Sequence, residues 1–188
     1  FGSSPTGAPP FNIFRVPDDF HLGYYHYFHT TFQREVLHNN SVTVSYVGSR
    51  GKDLVWRKEI NAPPIGSPTT SGDLLRPFHN TFPQYRSIFE FTNDSKSWYD
   101  SLQLSFRQNS WHGINTQYNY TLSKCTDYNS GNRDTGPSQA DNPYDPSNSL
   151  GPCNFDVRHN FNIGGSVSVP KTAVGGPPLQ IGTVFTAL

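Results

Sequence analysis

Cys125 and Cys153 are the only two thiols in the chain, and they stand at either end of one polar stretch. If the strands flanking that stretch are neighbours, a disulfide can close it; otherwise both remain unpaired thiols. A zinc site is not expected, because no second Cys or His pair stands at ligand spacing. Asp127, Asp134, Asp141 and Asp145, with several asparagines, offer oxygen ligands in the same stretch. Their spacing matches no EF-hand loop, and a solvated polar loop accounts for them. The 7 histidines are scattered, and His26 and His29 fall on opposite faces of one strand, where they cannot share a ligand. No nucleophile elbow, H-E-x-x-H, phosphate-binding loop or dinucleotide glycine pattern occurs. The chain is therefore expected to have no catalytic residue, no metal and no cofactor, and to be no enzyme. What it offers instead is rows of amides and hydroxyls set against rows of apolar side chains.

Those rows are plainest from Tyr99 to Lys124. Leu102, Leu104 and Phe106 alternate with Ser101, Gln103, Ser105 and Arg107. After a polar connection, Gln108 to Gly113, Ile114, Thr116, Tyr118, Tyr120 and Leu122 alternate with Asn115, Gln117, Asn119, Thr121 and Ser123. Period-two alternation on both sides of a short connection predicts an antiparallel hairpin with one apolar face. The other face is amide and hydroxyl rather than Lys and Glu, which suits a wet interior better than an ordinary solvent-facing sheet.

Composition fits this pattern. Charged residues are 15% of the 188, below the roughly 25% of typical soluble domains. With 16 Gly and 16 Pro, the chain reads as turn-rich and all-β. Lys+Arg equals Asp+Glu at 14 each, so no electrostatic case exists for nucleic acid or an anionic membrane surface. No apolar run approaches the roughly 20 residues of a transmembrane helix, but a barrel strand escapes that test because only alternate residues meet lipid. The first ten residues have neither a basic start nor an apolar run, and no Met occurs. The chain is accordingly read as an internal piece of a longer polypeptide or a processed product.

Along the chain, residues 1–19 read as a loop and Leu22 to Leu37 as a strand, with Phe28 and Phe32 opposite Tyr27, His29 and Thr31. A turn at His38 to Ser41 leads to a strand from Val42 whose pattern fades after Gly51. A Pro-rich excursion from Asn61 to about Tyr85 follows, too dense in missing donors for an interior strand. Arg86 to Thr92 reads as a short strand with Asn93 to Ser97 as its turn, not a full crossing, and is placed in a protruding part of that loop. Cys125 to Asp156 is a second long loop. Val157 to Val169 alternates as a strand, Pro170 to Pro178 turns the chain, and a last strand begins at Leu179. The expectation is about six crossings, with short turns at one end and long loops at the other, as in outer-membrane barrels. Six strands cannot close such a barrel, so neighbours must exist elsewhere.

Tyr46 to Gly51 (YVGSRG), Tyr99 to Gln103 (YDSLQ), Tyr120 to Lys124 (YTLSK) and Asp156 to His159 (DVRH) resemble, in order and spacing, motifs of TonB-dependent outer-membrane receptors. More narrowly they are similar to the Oar-like subgroup. The resemblance implies one stretch, 1–188, of an antiparallel up-and-down transmembrane β-barrel domain. Such a barrel has about 22 strands around a plugged lumen, so this stretch is roughly a quarter of it. The family's signal peptide, amino-terminal domain, plug and TonB-contacting box are not in the chain. The implied partners are outer-membrane lipid, the rest of the barrel and its plug, the TonB complex through parts outside this chain, and an unidentified solute. The implied location is the outer membrane of a Gram-negative cell.

On that reading Phe28, Phe32, Val44, Leu102, Leu104, Phe106, Tyr118, Tyr120, Phe161 and Ile163 face lipid. Gln103, Ser105, Arg107, Asn115, Gln117, Asn119, Asn160 and Asn162 line the lumen, where hydrogen bonding to the plug is favoured over substrate contact. Tyr24, Tyr46, Trp98, Trp111 and Tyr120 form an interfacial girdle. His159, beside Arg158, locks the barrel rim. The oxidising periplasmic route permits a Cys125–Cys153 disulfide. Two rival readings are a secreted β-sandwich that binds glycans or serves adhesion, and a closed passive porin.

Overall fold

The structure, a computed structural model, describes residues 10–37, 39–68, 72–130, 142–169 and 179–188, the side chains of Ser110, Trp111 and Pro146 excepted. One sheet contains β1 (Phe11–Arg15), β2 (Tyr24–Val36), β3 (Asn40–Glu59), β4 (Tyr85–Trp111), β5 (Ile114–Asp127), β6 (Gly151–Pro152), β7 (His159–Val169) and β8 (Leu179–Ala187). Its main path is β2-β3-β4-β5-β7-β8, so the six long strands neighbour one another in chain order. This is an all-β, up-and-down antiparallel arrangement. The sheet is open, with β2 and β8 at the ends of the path.

Alternation of side chains fixes the register. Tyr118 pairs with Ile163, Asn119 with Asn162 and Tyr120 with Phe161, and on the next strand Ile163 pairs with Phe185. A slip of one residue would exchange the apolar and amide rows across the sheet. The short connections share one end: Asn109 N–H donates to Asn39 O at 3.2 Å, and Ser168 N–H to Gly113 O at 2.8 Å. The expected turn at 170–178 lies outside the described residues.

Several expectations need correction. The connection expected over Gln108 to Gly113 is only His112 and Gly113, with φ of 51° and 79°. Positive φ at both central positions marks a type I′ turn, whose twist matches that of the flanking strands and lets pairing continue to Trp111. Arg86 to Thr92 is a strand, as its pattern allowed, but Asn93 to Ser97 is no turn: the segment is continuous with the strand that follows, giving β4 its 27 residues. β3 likewise does not fade at Gly51 but runs 20 residues to Glu59. Both extensions lose strict apolar alternation, yet the backbone ladder persists without it. Within the supposed amino-terminal loop, Phe11–Arg15 pairs in parallel with β4, Phe14 opposite Phe89 and Arg15 opposite Glu90.

By its internal contacts the chain divides into two compact units. The first comprises Phe1–Tyr25, Gly51–Ser97 and Asp127–Asn154. Its core is built on Trp56, 1% exposed, whose indole N–H donates to Asp94 and whose ring meets Tyr128 edge-on at 5.8 Å. Asn61, fully buried, ties down the Pro-rich excursion. Its amide donates to Arg86 O at 2.9 Å, and its carbonyl accepts from Phe78 N–H at 2.9 Å. Arg76 bridges Glu59 and Asn61 O, each at 2.7 Å.

The second unit comprises His26–Arg50, Trp98–Thr126 and Phe155–Leu188. Its burial is inverted. The most buried side chains there are small and include Ser45, Ser101 and Ser123, while Leu102, Leu104 and Tyr118 are 40%, 39% and 36% exposed.

Candidate functional site

The apolar row of the second unit is contiguous. Phe106 and Tyr118 have ring centroids 6.0 Å apart, as do Phe28 and Tyr46. Leu102 and Leu104 share a face with Phe106 by the strand period, Val44 with Tyr46, and Phe32 with Phe28. Register adds Phe161 and Ile163 beside Tyr120 and Tyr118. The Phe28 ring lies over Gly48, where a Cβ would fall 2.0 Å from it. Only glycine permits that approach.

At one end of this row the resembling motifs meet in pairs. Arg50 Nη2 donates to Asp100 Oδ1 at 2.8 Å, and the Tyr46 hydroxyl donates to the same oxygen at 2.5 Å. Arg50 Nη1 donates to Ser49 O and Tyr99 O, both at 2.9 Å, and its guanidinium lies 5.2 Å from the centre of the Phe28 ring. The Tyr120 hydroxyl and His159 Nδ1 are 2.8 Å apart. Sequence reasoning singled out Tyr46, Tyr120 and His159 but missed the Arg50–Asp100 pair. The available signal was phase: both charges sit in the apolar phase of neighbouring strands, which is costly unless they pair. Tyr24 and Trp98 are engaged with neighbours, and the Trp111 side chain lies outside the described residues.

The opposite row is a self-bonded amide ladder. Ser105 Oγ donates to Asn119 Oδ1 at 2.8 Å, Gln117 Nε2 donates to the same oxygen at 3.1 Å, and Arg107 Nη2 donates to Gln117 Oε1 at 3.2 Å. Asn162 Nδ2 donates to Asn160 Oδ1 at 2.6 Å, and Thr186 Oγ1 donates to Asn162 Oδ1 at 2.7 Å. Asn115 is also engaged. Gln103 lies on the same face beside Ser101 and Ser105.

Cys125 and Cys153, both buried, are disulfide-bonded. Removing the bond by Cys153→Ser is expected to cost about 3–4 kcal/mol from the loop-closure entropy of the stretch it closes. The check is the urea unfolding midpoint of the full-length protein in liposomes; an unchanged midpoint would refute a stabilising role. Of the four aspartates, Asp134 and Asp141 lie outside the described residues. Asp127 accepts from Ser130 Oγ at 2.9 and 2.8 Å, and Asp145 caps the short 3-10 turn at Pro146–Ser149.

In the first unit a cavity of about 340 Å³ is lined by Asp73, Arg76, His79, Tyr85 and Arg86 among others. The Arg76 guanidinium, 2.8 Å from Asp73, holds that carboxyl below the usual carboxylate range, and Arg86 adds to the effect. These charges largely satisfy one another.

A one-layer antiparallel meander with exposed apolar side chains on one face and bonded amides on the other is the wall of a membrane β-barrel. A family model described as "Outer membrane beta barrel domain" matches residues 1–180, and the chain belongs to that family. Its location is the outer membrane of a Gram-negative cell, and lipid is a partner of the assembled barrel. The β-sandwich alternative falls with this, since the described strands form one sheet. No curated protein and no solved structure matches the chain significantly.

Proposed function

We propose that the chain is a piece of the barrel wall of a TonB-dependent receptor of the Oar-like kind, moving a bulky solute inward or serving a related export or signalling task. In this role Phe28, Leu104, Phe161 and their row meet lipid, while Gln103, Asn119, Asn162 and theirs face a lumen that holds a plug. TonB engages parts of the protein outside residues 1–188. The chain itself catalyses nothing; it forms wall and outer loops.

The observation that carries this reading is the pairing of the resembling motifs, Tyr46 and Arg50 with Asp100 and Tyr120 with His159, at one end of the apolar row. Amphipathic rings and a paired charge at such a level suit the headgroup boundary of a lipid-facing wall. The test is growth or uptake with and without TonB in cells making the full-length protein. Solute passage is expected to collapse without TonB or when the proton gradient is discharged. Passage that survives both would identify a passive pore instead.

A further inference from the structure

The amide face is not uniform. Towards the short turns its side chains bond to each other, but beside the disulfide a cleft of about 340 Å³ opens on the same face. Tyr99, Gln103, Thr121, Phe155, Asp156 and Asn160 line it. Its volume sits at the small end of the roughly 300–1,000 Å³ range of ligand pockets.

The polar groups of this cleft are not spent in the way those of the ladder are. Among the described residues, neither the Gln103 amide, the Thr121 hydroxyl nor the Tyr99 hydroxyl has a hydrogen-bond partner. Asn160 accepts a bond through Oδ1, leaving its two N–H donors to the cleft. The one carboxylate is committed, because Asp156 Oδ1 accepts from Cys125 N–H at 2.8 Å. The lining contains no cation. Two aromatic rings border it, and Phe155 is 68% exposed in the turn two residues after the disulfide-bonded Cys153.

From this we infer that the cleft binds a neutral, polyhydroxylated solute, a saccharide unit, on the lumen face of the wall. Hydroxyls that both donate and accept match a Gln amide, an Asn amide and two hydroxyls, while a sugar's C–H face packs on an aromatic ring. Arg158 and Asp156 beside the cleft offset one another, Nη2 to Oδ2 at 4.0 Å, so neither an anionic nor a cationic ligand finds an unmatched countercharge. The inference rests on the reading of this face as lining an aqueous lumen.

Its test uses the full-length protein in the amine-oxide detergent LDAO, since glucoside and maltoside detergents would compete. Titration calorimetry with maltotriose, cellotriose and chitotriose is expected to show at least one binding at millimolar affinity or better. Gln103→Ala and Tyr99→Ala should each weaken that binding tenfold or more. Ser166→Ala, on the same face among the self-bonded groups, should leave it within twofold. The inference is overturned if none of the three sugars binds, if the cleft variants bind as tightly as the parent, or if glutarate binds better than every sugar. Heat-modifiable gel mobility confirms assembly in each sample. An assembled protein that binds no sugar sinks the cleft alone. Sugar binding with TonB-independent uptake sinks the energy-coupled reading and leaves the cleft standing.

Discussion

Arginine at Leu104 or Phe161 is expected to block assembly into the outer membrane, whereas arginine at Gln103 is tolerated. Leu104 and Phe161 sit in the middle of the apolar row, and Leu104 is already 39% exposed, with no second sheet among the described residues. If lipid is what covers it, a cationic side chain at mid-depth costs about 2–4 kcal/mol, falling towards zero near the interfaces. Gln103 is one residue away on the other face, so the same charge there meets water. The measurement is the fraction of heat-modifiable, outer-membrane-fractionated protein for the three variants. Equal losses at Leu104 and Gln103 would contradict the assignment of faces.

The second large effect is expected at Trp56. Truncation to Ala removes the largest buried side chain of the first unit and its edge-on contact with Tyr128, and leaves Asp94 without its indole donor. Large aromatic-to-alanine changes in cores cost about 3–5 kcal/mol. Asp94 keeps Lys58 and Thr92 as donors, so the loss is chiefly one of packing. The expected result is trypsin cleavage within 51–97 of the Trp56→Ala protein on intact cells, with heat-modifiable mobility retained. Trp56→Phe should restore much of the resistance. A Trp56→Ala protein as resistant as the parent would show that this core does not hold its unit together.

The two rows of the second unit were legible because a strand sends successive side chains to opposite faces. Leu102, Leu104 and Phe106 against Gln103, Ser105 and Arg107 is a pattern that only a period of two explains. The extensions of β3 and β4 were not legible, since a ladder held by backbone hydrogen bonds leaves no alternation once neither face needs to be greasy. Ser95 and Asn93 look like turn residues, yet Ser95 is buried in a strand and Asn93 donates to His21 O and Asp53 O. The pairing of β1 with β4 was hidden for a different reason: Phe11 and Tyr85 are far apart in sequence, and Pro and Gly crowd the segment before it. Arg50–Asp100 and Tyr120–His159 needed strand neighbours that no local pattern supplies.

The bonded amide ladder has a mechanical consequence. A wall whose donors and acceptors already answer one another has few dangling groups to seize whatever slides past it. Ser105, Asn119, Gln117 and Arg107 thus present few unanswered donors or acceptors to anything that meets this face. The polarity of this stretch is turned inward on itself.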